Sequence, residues 1–218
     1  DAISEKYHLE GLASGSRIRE RLSESVEQGI LKLGTGLLQE PANADLLEWV
    51  QANEGTDTKY YDHLLKLIYR LLFLMVIEER QLIFPEDSRE SGVGSQESDA
   101  SATPDSRLLT PDFEMGAAAG AKQGQRSKGR AVYYAYYSLQ RLRKLAVRYQ
   151  LANERQYDLW ENLLNTFRLF ENAGYGEKLG IAPLSGDLFR PEALGPLYGC
   201  RVNNRVLLET LRGLSQFD

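Results

Sequence analysis

Residues 60–84 read YYDHLLKLIYRLLFLMVIEERQLIF. Large apolar side chains recur in this segment at steps of three and four residues, which is the period of one face of an α-helix. The first line comprises Leu64, Leu67, Ile68, Leu71, Met75 and Leu82, and a second line of Leu65, Leu72 and Val76 broadens the face. The spacing therefore predicts a helix over Tyr60–Phe84. We expect Pro85 to end it, because proline lacks the N–H that a helix interior needs.

The middle of this segment, Leu71 to Ile77, carries no polar side chain. A helix that is apolar all round is normally buried on all sides, so we expect this one to lie at the centre of the fold. A buried strand is an alternative for these residues alone, but the periodicity on both sides favours a helix. The uncharged run between Arg70 and Glu78 has seven residues. A membrane span needs about 20, so none is expected here.

The composition is that of an ordinary soluble globular protein. The 218 residues are 42% hydrophobic and 26% charged, with a net charge of −5, and such a length is sufficient for a real core. A negative net charge gives no general attraction to nucleic acid, so any DNA contact must use a local basic patch. The single cysteine, Cys200, excludes an intrachain disulfide and fits a cytoplasmic protein. The N-terminal DAISEKYHLE lacks the apolar core of a signal peptide. Since the chain begins at Asp1, we expect a piece of a longer protein, with a processed N-terminus as the alternative.

Apolar periodicity predicts further helices on both sides of the central one. They cover residues 14–38, 45–51, 131–151, 158–174 and 203–214. Ser14 or Ser16 can cap the first of these helices, and Gly34 and Gly36 are expected to break it. In the helix over 158–174, Leu159, Leu163, Phe167 and Phe170 are expected to face inward, and Asn203 or Asn204 is expected to cap the last helix. Residues 175–202 form a long connection rich in glycine and proline.

Residues 86–130 differ in kind from the rest of the chain. Serine, glycine, alanine and acidic residues dominate there, and such a composition cannot bury enough apolar surface to offset the entropy of ordering. We therefore predict a mainly α-helical domain, formed by residues 1–84 and 131–218 as an irregular bundle around the central helix. Residues 86–130 are predicted to be a flexible, low-complexity insertion, of which Leu108 to Met115 at most docks on the domain.

No set of residues indicates catalysis, cofactor binding or a metal site. His8 and His63 are far apart and lack metal-ligand spacing, so His63 is interpreted as a polar residue of the central helix. Glu78 and Glu79 are adjacent, and adjacent helical residues point apart; we expect ion pairing or solvation at a helix end. Cys200 has no plausible histidine partner and is expected to be inert.

One stripe of side chains indicates nucleic-acid binding. Tyr137, Arg141, Lys144 and Arg148 follow at steps of four, three and four residues, and Arg143 lies beside them. Cations on one face of a helix can neutralise phosphates, and tyrosine can stack or form hydrogen bonds. These residues are the predicted DNA-backbone contact. The alternative is a solvated face whose cations pair with Glu154, Asp158 or Glu161.

Five segments of the sequence, the central one and four others, together resemble a known family. YYDHLLKLIYRLLFLMVIEERQLI (60–83) resembles the "yRLLFLlyaEerglL" helix of large bacterial restriction–modification DNA methyltransferases. YYSLQRLRKLA (136–146), LWENLLNTFRLFENAG (159–174) and LGIAPLSGDLFRPEAL (179–194) resemble the segments that follow it in Eco57I-like methylases and in phage-defence methylases of the DISARM and BREX type. RIRERLSESVEQGILKLGTGLL (17–38) is similar to the same group.

The resemblance implies a parent protein that methylates the N6 atom of adenine in DNA with S-adenosylmethionine, marking self DNA. In that family these blocks precede the catalytic domain. Its glycine-rich cofactor loop and the N-P-P-Y-type tetrapeptide that holds a flipped adenine do not occur here, since Asn203-Asn204 is followed by Arg205. The expected role is therefore a helical N-terminal scaffold, with DNA and the downstream methyltransferase domain as partners, and itself not catalytic. The alternative is a protein-interaction module that docks other subunits of a defence complex without contacting DNA.

Overall fold

The computed structural model describes residues 2–52, 55–84, 127–148 and 155–215, with side chains from Arg17 onward. Of these residues 83% are helical and none lies in a strand, which confirms the mainly α prediction. The helices are α1 (Ala2–Gln39), α2 (Ala44–Ala52), α3 (Thr56–Glu79), α4 (127–132), α5 (Leu139–Arg148), α6 (Asp158–Glu171), α7 (Ala173–Gly176) and α8 (Asn204–Leu214). A π-helix (Tyr133–Tyr137) follows α4, and 3₁₀ segments cover Pro41–Asn43, Glu177–Leu179, Asp187–Phe189 and Pro191–Gly199.

The central helix α3 packs against α1, α2, α5 and the 3₁₀ segment Pro191–Gly199, while α8 packs against both α1 and α5. Four apolar side chains of α3, Leu67, Ile68, Leu71 and Leu74, are completely buried. This burial confirms that residues of the central segment form the core. The predicted insertion lies mostly outside the described residues, as does its segment Leu108 to Met115; α4, however, begins at residue 127, within the range assigned to the insertion.

The predicted bounds and the predicted full burial of α3 are both wrong. The helix ends at Glu79, because Gln81 adopts a left-handed φ of 56° and Leu82 N–H returns to the carbonyl of Ile77 at 2.8 Å. The chain therefore leaves the helix before Pro85 is reached. The other described elements do not pack on one side of α3, where Phe73 and Val76 are 41% and 48% exposed.

The glycines of α1 do not break the helix, contrary to the prediction. A Cβ atom at Gly34 would lie 2.9 Å from Leu64, and one at Gly36 would lie 2.6 Å from Val206. The two glycines therefore let α3 and α8 approach the α1 backbone closely. The helix also begins at Ala2, well before the predicted start near residue 14.

The predicted helix 131–151 is divided in two at Ser138. This residue has extended backbone angles (φ −66°, ψ 144°), and α5 begins immediately after it. Two further predictions are confirmed. The inward side chains of α6, including Phe167 and Phe170, are buried, and Asn203 caps α8 by accepting the Val206 N–H at 2.9 Å.

Candidate nucleic-acid interface

Glu78 fixes where α5 begins. Its carboxylate accepts hydrogen bonds from the Tyr133 hydroxyl and from the backbone N–H groups of Leu139 and Gln140, each at 2.7 Å. The side chain is buried, which corrects the expected solvation or ion pairing at a helix end. Burial raises the pKa of Glu78, while the three hydrogen bonds act in the opposite direction. A carboxylate at this position satisfies N–H groups that a helix start leaves without partners.

Arg70 joins α3 to α6 and to the segment after it. Its guanidinium is completely buried. It donates to Glu171 Oε1 at 2.5 Å and to the carbonyls of Leu188 and Arg190 at 2.6 and 2.5 Å. The other carboxylate oxygen of Glu171 accepts the Tyr198 hydroxyl at 2.8 Å. Because these charged groups are committed to internal partners, Arg70 and Glu171 are structural residues.

Between α5 and the C-terminal end of α8 lies an open groove of about 640 Å³. Its lining residues are Gln140, Arg143, Lys144, Val147 and Arg148 from α5, with Arg212 and Ser215 from the end of α8. Four of these seven side chains are cationic and none is acidic. Lys144, Arg148 and Arg212 are exposed. We call this surface the basic groove, and it can offer several cations to an anionic ligand at once.

The basic groove contains three of the five predicted DNA-binding residues. Lys144 and Arg148 face it from the exposed side of α5. Arg143 is half-buried in its wall, where its Nε donates to Ser215 Oγ at 3.0 Å. This hydrogen bond joins the two helices that form the groove. These three residues were predicted only from the spacing of lysine and arginine residues along the segment that forms α5.

The two other predicted residues, Tyr137 and Arg141, do not line the groove. Arg141 is half-buried and reaches toward α6, where its Nη1 contacts Asn162 Oδ1 at 3.4 Å. Tyr137 is the last residue of the π-helix, and its carbonyl accepts the Thr166 hydroxyl at 2.7 Å. The break at Ser138 changes the direction of the chain, so helical spacing across it does not define one face. Asp158, an expected partner of the stripe, accepts a hydrogen bond from Asn204.

Sequence reasoning missed the contribution of α8 to this surface. Arg212 lies in the last turn of α8, 64 residues beyond Arg148. A cation near a helix C-terminus is also explained by the helix dipole, and no local pattern links the two positions. Only the packing of α5 on α8 brings them together.

The central histidine and the single cysteine are structural in this fold. Nδ1 of His63 lies 3.0 Å from the carbonyl of Ala193, next to Gly195, whose φ is +50° and where a Cβ would lie 2.5 Å from the imidazole. Burial raises the pKa of Cys200 to about 11, so its thiolate is scarce at neutral pH. Among the described residues, no group of three or more His, Cys, Asp or Glu side chains could hold a metal ion.

Among the described helices, none combines the length and the apolar character of a transmembrane segment. Comparisons with protein-family models, with curated proteins and with solved structures gave no match to this chain.

Proposed function

We propose that this chain is the helical scaffold region of a bacterial restriction–modification or phage-defence DNA adenine methyltransferase, and that its basic groove contacts the DNA backbone. The observation that carries the DNA contact is the convergence of four cations from two helices on one open surface, none of whose described lining residues is acidic. The family assignment comes from the resemblance of the five sequence blocks. The catalytic chemistry and S-adenosylmethionine belong to the downstream domain of the parent protein.

The buried polar contacts give the shared blocks a physical role consistent with a scaffold. Arg70, in the 60–83 block, binds Glu171 of the 159–174 block and two carbonyls of the 179–194 block. Glu78, from the same central block, caps the helix of the 136–146 block. The two buried charged residues of α3 thus hold the other blocks in place. They are not free to act on a substrate.

The groove cations fit phosphate contacts better than base readout. Arginine and lysine neutralise phosphates independently of sequence, and the only other polar side chains in the lining are Gln140 and Ser215. The net charge of −5 opposes approach to DNA. Binding by this chain should therefore be weak, sequence-independent and strongly reduced by salt.

Fluorescence anisotropy with a short labelled duplex at low salt tests this function. The test variant combines Lys144→Glu, Arg148→Glu and Arg212→Glu, and the control combines Lys59→Glu, Lys66→Glu and Lys178→Glu. All six lysines and arginines are exposed, and the control residues do not line the groove. Both variants change the net charge equally, so that general repulsion is the same.

The proposal predicts that the groove variant loses binding while the control variant retains most of it. Equal loss in both variants would assign binding to overall charge. An absence of binding by the wild-type chain at the lowest salt would reject the DNA contact and favour the protein-interaction alternative.

One observation favours that alternative as a second candidate. A large exposed apolar patch near Gly180 to Leu197 would favour docking of a partner there, but Phe189, Leu194 and Leu197 are buried. A group of exposed apolar side chains lies instead on α3, around Phe73 and Val76. In the protein-interaction alternative, α3 is therefore the helix that receives the partner.

A further inference from the structure

An apolar stripe runs along the side of α3 on which no other described element packs. It consists of Tyr61, Leu65, Tyr69, Leu72, Phe73 and Val76, and we call it the α3 stripe. Its four exposed members, Tyr61, Tyr69, Phe73 and Val76, are between 41% and 49% exposed, and its two leucines are half-buried. Phe189 contacts one edge of it, 5.6 Å from Phe73 between ring centroids. An apolar stripe of this kind on a helix normally faces a packing partner.

The spacing within the stripe fits a second helix as that partner. Leu65, Tyr69, Leu72 and Val76 follow at steps of four, three and four residues, which is the seam along which two nearly aligned helices interlock their side chains. From Tyr61 to Val76 the stripe extends for about 22 Å at 1.5 Å per residue. This length seats about four turns of an aligned helix.

The charges beside the stripe identify the helix that complements it. Asp62 and Arg80 lie 18 residues apart, which is five turns at 3.6 residues per turn, so both flank the same side of the stripe. Each is nine residues from Leu71. In an antiparallel pair centred on the level of Leu71, Asp62 of one copy faces Arg80 of the other, twice in each dimer. The same alignment places Tyr69 opposite Phe73, which are each two residues from that centre.

We infer that the α3 stripe is a self-association surface, through which α3 pairs antiparallel with α3 of a second copy of this chain around a two-fold axis. Such an isologous contact uses one patch on both copies. A parallel pair would instead place Asp62 against Asp62 and Arg80 against Arg80. A contact one helix wide is smaller than the interfaces of about 1,200–2,000 Å² that bind tightly. The dimer should therefore form at micromolar or higher concentration.

Sedimentation velocity of the full chain over a wide concentration range tests this inference. The wild-type mass should rise from the monomer value of 24.6 kDa toward twice that value. Asp62→Arg alone and Arg80→Asp alone should each remain monomeric, because each variant places like charges opposite each other.

An equimolar mixture of the two variants should dimerise. In the mixed dimer the arginine introduced at position 62 of one copy faces the aspartate introduced at position 80 of the other. The native pair of Asp62 and Arg80 is kept at the other end of the contact. The Kd of the mixture should be at least about tenfold below that of either variant alone.

The mixture separates antiparallel pairing of α3 from association through any other surface, because only that pairing brings positions 62 and 80 together. Asp62 and Arg80 are exposed, so circular dichroism melts of both variants should match the wild type, and a misfolded variant would be recognised. A wild-type chain that stays monomeric throughout would overturn the inference. So would single variants that dimerise as the wild type does, or a mixture no more associated than its components. The outcome does not depend on DNA binding, which concerns α5 and α8.

Discussion

Arg70 and the cations of the basic groove carry the same charge in opposite surroundings. Arg70 is completely buried, and its guanidinium donates to one carboxylate and two carbonyls. Lys144, Arg148 and Arg212 are exposed on one open surface. A buried charge is tolerated only when its partners are in place, whereas exposed charges contribute little to stability. The difference separates the charges that hold this fold together from those available to a ligand.

Removing Arg70 should produce the largest effect on stability. Arg70→Ala leaves the carboxylate of Glu171 buried without its cation, and losing one partner of a buried pair costs about 3–5 kcal/mol. Total stabilities are about 5–15 kcal/mol, so urea denaturation should show a severe shift. Combining Arg70→Met with Glu171→Leu should recover part of the loss. If Arg70→Ala lowers the free energy of unfolding by less than about 1 kcal/mol, burial does not distinguish Arg70 from the groove cations.

Glu78→Gln should have the next largest effect, because the amide nitrogen of glutamine would face a backbone N–H at the start of α5. An unsatisfied buried group costs about 1–3 kcal/mol. Burial raises the folded-state pKa of Glu78 above its ordinary 4.5. The stability associated with that shift is therefore complete below 4.5 and is lost as the pH rises through the raised pKa. Denaturation of both proteins from about pH 4 to 7 should show the cost of the substitution falling with pH. A loss of stability on Glu78→Gln that grows with pH would contradict a raised pKa of Glu78 in the folded protein.

Arg141 is an intermediate case that sharpens the comparison. It is half-buried and contacts Asn162 at 3.4 Å, outside the groove. Arg141→Ala should therefore lower stability by about 0.5–1 kcal/mol, the contribution of a typical hydrogen bond. Calorimetric melts of Arg141→Ala and Arg148→Ala provide the comparison. Arg148→Ala should leave the stability within about 0.5 kcal/mol of wild type. Equal melts of the two variants would show that the α6 contact contributes nothing.

What the sequence could predict followed from local periodicity. The buried face of α6 and the cap of α8 depend on residues within a few turns of one another. The buried face was predicted correctly, and the capping residue Asn203 is one of the two predicted candidates. The uncovered side of α3 was not, because the run from Leu71 to Ile77 is apolar whether or not a neighbour packs on each side. The prediction for Gly34 and Gly36 was wrong for a similar reason. Glycine lowers helix propensity, but the close approach of α3 and α8 to these two glycines is set by tertiary packing.

The candidate site shows the same limit. Lys144 and Arg148 could be found from their spacing on α5, but Arg141 was included because the predicted helix ran unbroken through Ser138. The deep burial of Arg70 and Glu78 depends on partners 101 and 61 residues away. Arg212 joins the groove only through the packing of α8 on α5.

The salt dependence of DNA binding most directly tests the distinction between cations with partners inside the protein and exposed cations that can bind a ligand. Each phosphate contact contributes about −0.9 to the slope of log K against log salt concentration. Anisotropy titrations should be compared for the wild type and for the variants Arg212→Gln and Arg141→Gln. Each of the two variants loses one positive charge. We predict that Arg212→Gln reduces the magnitude of the slope by about one and that Arg141→Gln leaves it unchanged. A reduced slope for Arg141→Gln with an unchanged slope for Arg212→Gln would contradict DNA binding at the basic groove. It would support the DNA contact that was predicted from the sequence, which includes Arg141.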